Sequence, residues 1–135
     1  MNIQTKLIYL LLFLFSGYAF GFQELPKAKP LRVELLYVKY ILLGALVSFV
    51  AYTIYCSFKE NFVKSFRKIF PLLWGRQVGI DLYIGIFLFS FFVFMIEKSV
   101  VILFLWLLPS IIFGNIIPLV YLITHFEFIC GLFGF

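Results

Sequence analysis

Polar residues in this chain gather at a few places, and between them run long, almost unbroken apolar stretches. Residues 35–58 are apolar except for Lys39, residues 79–96 carry a single acid, Asp81, and residues 100–124 carry no charge at all. A helix that crosses a bilayer needs about 20 largely apolar residues, so the pattern predicts three such spans. Lys39 lies within about 6 Å of the start of its span and can extend its amine to the headgroups. Gly44, Ser48, Ala51 and Tyr55 recur at helical spacing on one face. Small residues permit close backbone approach, so this face is expected to meet neighbouring helices.

The second span places Asp81, Gly85, Leu88, Phe92 and Met95 on one stripe, expected to point into the bundle because a carboxylate facing lipid is costly. In the third, Pro109, Gly114 and Pro118 interrupt an otherwise helical run, which predicts a kink around residues 114–118. Asn115 then falls near mid-depth and should turn inward. An antiparallel course would bring Tyr121 and His125 to the depth of Asp81. These four, Asp81, Asn115, Tyr121 and His125, form the candidate polar site inside the bundle.

The connecting segments have their own patterns. In residues 59–70, Phe62, Val63, Phe66, Ile69 and Phe70 fall within an arc of about 120° on a helical wheel, with polar residues opposite. Such a helix lies in the membrane interface, and Pro71 ends it. Lys59, Lys64, Arg67, Lys68 and Arg76 would face anionic headgroups at the cytoplasmic side. Residues 1–21 combine a lysine, the apolar run 7–15 and the small residues Ala19 and Gly21, the plan of a secretory signal peptide. An uncleaved first transmembrane helix is the other reading. Residues 22–34, with Pro26 and Pro30, read as an external linker, and residues 125–135 as an apolar tail.

Composition excludes a soluble domain: 64% of the residues are hydrophobic and only 13% charged, against about 25% charged in soluble proteins. The formal charge of +5 comes from basic residues at the ends of apolar runs, which reads as a topology signal and not as a nucleic-acid surface. The basic loop 59–70 should be cytoplasmic, and alternation of three spans then puts the C-terminus in the cytoplasm too. The expectation is a multi-pass protein, with a bacterial inner membrane the favoured setting. Cys56 and Cys130 lack metal-ligand spacing and read as apolar core residues.

Trp74, Ile80-Asp81-Leu82-Tyr83, Glu97-Lys98, Trp106, Gly114-Asn115 and Tyr121 together resemble a family of small integral membrane proteins of bacteria and plants, catalogued as domain of unknown function 1475. The likeness covers about residues 35–123, with Leu72 and Leu73 standing where the family often has Asp-Pro. It implies a three-helix core and supplies no activity.

The fold class expected is thus an all-α membrane protein: a three-helix transmembrane bundle over residues 35–124, a signal peptide or fourth helix before it, and an interfacial amphipathic helix. No nucleotide loop, metal motif or nucleophile motif is present, so no catalytic, cofactor or metal residues are assigned. The leading function class is a non-enzymatic structural or accessory subunit, held to a membrane-protein partner or to further copies of itself. A small oligomeric transporter or channel with Asp81 as a cation or proton site is the alternative. A membrane-embedded enzyme on lipid substrates is the third, and it needs Asp81, Tyr121 and His125 in one pocket. Asp81 also has a plain structural reading, as a negative charge near a helix N-terminus or a partner of Arg76.

Overall fold

A computed structural model describes residues 3–22 and 32–134. Most of the linker read over residues 22–34 therefore lies outside the described residues. Among these the chain is helical throughout, without strands: α1 (Ile3–Phe22), α2 (Val33–Lys59), α3 (Phe62–Ile69), α4 (Leu73–Glu97), α5 (Val100–Phe113), α6 (Ile116–Thr124) and α7 (Phe126–Leu132). Among the described residues two helices, α2 and α4, are long and apolar enough to cross a membrane, with mean hydropathies of 2.0 and 2.2.

The third expected span does not exist as one helix. Residues 100–124 divide into α5 and α6, and α6 folds back against α5. The rings of Trp106 and Tyr121 lie 5.0 Å apart, whereas in a continuous helix their positions would be separated by about 22 Å. The reversal follows from local chemistry. Gly114, at φ 58° and ψ −135°, ends α5 in a conformation that a side chain makes costly. Pro118 sits in the first turn of α6, where its missing N–H would have no helical partner anyway. Glycine past the end of one helix and proline just inside the next is the usual punctuation of a break. The same residues that predict a kink thus produce a full reversal.

Packing follows from that hairpin. α4 and α5 are antiparallel neighbours across the turn at Lys98, whose φ of 51° closes α4 in the left-handed region. α2 lies along α6, and Lys39 pairs with Glu127 at 2.9 Å. The core is Val93, Trp106, Ile117, Tyr121 and Ile129, with Phe15 of α1 set edge-on against Trp106 at 5.7 Å. A second tie of α1, this one to α2, runs from the Tyr9 hydroxyl to Ser57 Oγ at 2.7 Å.

Two face assignments change. α4 buries Ile86, Ser90 and Val93, so Asp81, Gly85, Leu88 and Met95 point away from the bundle, and Phe92 is half-buried. On α2, Leu42, Leu46 and Val50 turn toward the bundle, while Gly44, Ser48, Ala51 and Tyr55 are exposed. Nothing lies within 4 Å of a Cβ placed on Gly44. Lys39, near the start of α2, pairs with Glu127.

α3 keeps its expected character. Asn61 caps it by accepting from the backbone of Val63 and Lys64, at 3.1 and 3.3 Å, and Glu60 accepts from the Ser65 hydroxyl at 2.7 Å. Phe62, Phe66 and Phe70 form a ladder of rings 5.9 and 5.3 Å apart, and no residue of α3 is buried. After Pro71, α4 starts so close to α3 that a Cβ on Gly75 would collide with the Ile69 carbonyl.

Replacing Gly114 with Ala tests the reversal. Space is adequate, since an added Cβ would meet Leu82 at 3.8 Å, so the cost is backbone strain of about 1–3 kcal/mol. Denaturant titration in detergent should show a loss of that size, and Gly44→Ala should be near neutral.

Candidate functional site

Because α6 returns beside α5, its outer end arrives at the α4–α5 turn and not at the level of Asp81. Tyr121 is fully buried and its hydroxyl donates to Glu97 Oε1 at 2.9 Å. His125, 1% exposed, stacks on the Tyr121 ring at 4.2 Å, and its Nε2 stands 3.5 Å from the same Glu97 oxygen. Trp106, also 1% exposed, sets its ring edge-on to both, 5.0 Å from Tyr121 and 6.0 Å from His125. Phe89 covers the Tyr121 ring from α4 at 5.5 Å. The result is one carboxylate, one phenol and one imidazole inside an aromatic wall.

Hydrogen bonding orients the imidazole. Nδ1 lies 2.9 Å from Thr124 Oγ1 and 3.1 Å from the Tyr121 carbonyl. The other side of the ring has no hydrogen bond, and neither does the buried indole N–H of Trp106. Ser90 and Ser110, the remaining buried hydroxyls on α4 and α5, donate to the carbonyls of Ile86 and Trp106 within their own helices, at 2.8 and 2.7 Å. Those two are satisfied and offer nothing further.

The four candidate residues therefore separate. Tyr121 and His125 come together, with Glu97 as their third member. Asp81 is exposed, and it stands about 24 Å down α4 from Glu97. It forms no hydrogen bond or ion pair among the described residues, Arg76 included. Since α4 begins at Leu73, Asp81 lies about 12 Å inside the helix, beyond the first turn where the N-terminal dipole acts. Asn115 is exposed at the tip of the hairpin, on the rim of an apolar cleft of about 460 Å³ between α4 and α6 that Phe89, Phe92, Leu119 and Tyr121 also line.

Glu97 is not among the residues that the sequence pattern singles out for the polar site. The signal that could have found it was its neighbourhood to a span bearing a tyrosine and the chain's one histidine, but only the reversal at Gly114 brings them into reach. Residues 125–134 lie at the end of the bundle holding Lys39 and Glu97, opposite residues 59–70.

Lys59, Lys64, Arg67, Lys68 and Arg76 are all exposed. None is in an ion pair among the described residues, and Lys59 rests 6.0 Å from the Tyr55 ring centre. Cys56 and Cys130 are free thiols, and burial pushes the Cys130 thiol above its ordinary value, which disfavours the thiolate. Among the described residues no group of three or more His, Cys, Asp or Glu side chains could hold a metal ion.

Tyr121→Phe removes a hydrogen bond to a carboxylate and should cost about 1.5–3 kcal/mol in unfolding free energy. Asp81→Asn, at an unpaired exposed site, should stay within about 0.5 kcal/mol of the parent. The same detergent titration compares them, and equal costs would contradict the placement of the two residues.

No protein-family model, no curated protein and no solved structure matches this chain.

Proposed function

We propose that this chain is an integral membrane protein without catalytic activity that serves as a structural or accessory subunit, binding through α2 to another membrane helix. The supporting observation is the state of α2. It has 27 residues and a mean hydropathy of 2.0, and none of its residues is buried within the chain. In water such a surface would be untenable, because monomeric soluble proteins rarely expose contiguous apolar patches above a few hundred Å². In lipid it is ordinary, and the exposed Gly44, Ser48 and Ala51 then give a second backbone room to approach.

On this reading α2 and α4 cross the bilayer, whereas α5, at 14 residues, is about 21 Å long and too short for a hydrocarbon core of about 30 Å. α5 and α6 form a re-entrant hairpin packed on α4 and α2. The basic residues around α3 assign its side to the cytoplasm, and the phenylalanine ladder of α3 lies in that interface among anionic headgroups. The resemblance to an uncharacterised membrane family agrees with a membrane setting and adds no activity.

A transport role centred on Asp81 has less support, since Asp81 stands apart from Tyr121 and His125. An enzymatic role needs those three in one pocket, and the bundle does not bring them together.

A photoreactive residue at Ser48 or Ala51, irradiated in native membranes, should give a discrete protein adduct, either with a second copy or with another membrane protein. The same residue at Leu46, which turns toward the bundle, should give none. Lipid adducts alone at Ser48 and Ala51 would overturn the proposal.

A further inference from the structure

The pairing around His125 leaves a proton to be placed. The Tyr121 carbonyl can only accept, and it lies 3.1 Å from Nδ1. Thr124 Oγ1 is 2.9 Å from the Val120 carbonyl and 3.0 Å from that of Tyr121. Its own hydrogen is therefore spent on a carbonyl, and its oxygen accepts at 2.9 Å from Nδ1. Both partners require the hydrogen on Nδ1. Nε2 of a neutral ring is then a bare lone pair, and it faces Glu97 Oε1 at 3.5 Å, in a site where His125 is 1% exposed. With Glu97 ionised, two acceptors would confront each other away from water, an arrangement that buried polar groups avoid.

We infer that Glu97 and His125 form a binding site for a single proton, held between Oε1 and Nε2. The ligand is the proton itself. The site takes it from water at Glu97, whose side chain is 17% exposed, and returns it by the same route. Bound, it makes either an imidazolium facing a carboxylate or a carboxylic acid donating to a neutral imidazole, and in both forms the acceptor clash is gone. Tyr121 donates to the same carboxylate oxygen at 2.9 Å and fixes its position. Because Glu97 ends α4 while His125 joins α6 to α7, the proton fastens the returning hairpin to the α4–α5 turn. The other ionisable groups at this end are Lys98 beside Glu97, Glu127 and Cys130 on α7, and Lys39 on α2, which is paired with Glu127 at 2.9 Å. Tyr18 on α1 is one helical turn from Phe15. α5 contributes Trp106, which does not titrate in this range.

This site stands whether or not the chain has a partner subunit, and its test is separate. The chain contains one histidine, so labelling histidine with nitrogen-15 gives one imidazole to observe. The full chain in lipid nanodiscs is followed by nitrogen-15 NMR across the pH range. The expected spectrum has Nδ1 protonated throughout and Nε2 titrating in one step. In Glu97→Gln the step should move to lower pH by about one unit or more, because the paired carboxylate is gone. A neutral ring protonated on Nε2, or a titration that Glu97→Gln leaves in place, would overturn the inference. The tautomer is read on the unaltered chain, so the first arm decides even where the variant does not fold.

Discussion

The backbone at Gly114 passes through a conformation that glycine adopts at little cost and other residues do not, and the arrangement of the outer half of the molecule depends on it. Without that reversal α6 would continue away from α5, leaving Trp106 and Tyr121 on distant turns. With it, the aromatic rings of Phe15, Trp106, Tyr121 and His125 close around one another in edge-on and stacked geometries. Aromatic pairs of this kind add about 0.5–1.5 kcal/mol each beyond the area they bury. A single backbone choice thus precedes most of the core.

The polar groups in this core, the indole N–H of Trp106 apart, obey a consistent rule. Hydroxyls placed where no water reaches turn back on their own helix, as Ser90 and Ser110 do. Groups that cannot do so gather at the end of the bundle, where Glu97 retains contact with the surroundings. The Lys39 and Glu127 pair, with side chains 30% and 42% exposed, is a lesser fastening and contributes at most about 1 kcal/mol. The heavier constraint is the burial of Tyr121 and His125, whose partners are Glu97, the Thr124 hydroxyl and the local backbone.

Much of this architecture was legible in the residue pattern, and the failures have identifiable causes. Hydropathy located α2 and α4, and the helical wheel located α3, because those signals depend on local periodicity alone. Residues 100–124 satisfied the length test for a span, yet a window average does not register the sign of one φ angle. Gly114 and Pro118 carried the information, and both are equally compatible with a kink and with a reversal. The choice between them rests on tertiary contacts such as that of Tyr121 with Glu97. Face assignments failed for a related reason. The pattern predicts that the small residues on α2 and the acid on α4 point inward, but the bundle buries Ile86 and Val93 of α4 and half-buries Leu42 and Leu46 of α2.

The parity of crossings has one more implication. If α2 and α4 cross the bilayer as proposed, the segment entering α2 at Arg32, the turn at Lys98 and the helix α7 open to one side, while α3 opens to the other, where Tyr9 of α1 also reaches Ser57. The two faces are then unequal in kind: one is a composite platform contributed by three separated stretches of chain, and the other presents a short cationic helix with a phenylalanine edge. Any soluble factor that recognises the platform senses three parts of the fold at once, and one that recognises the helix senses only a linker.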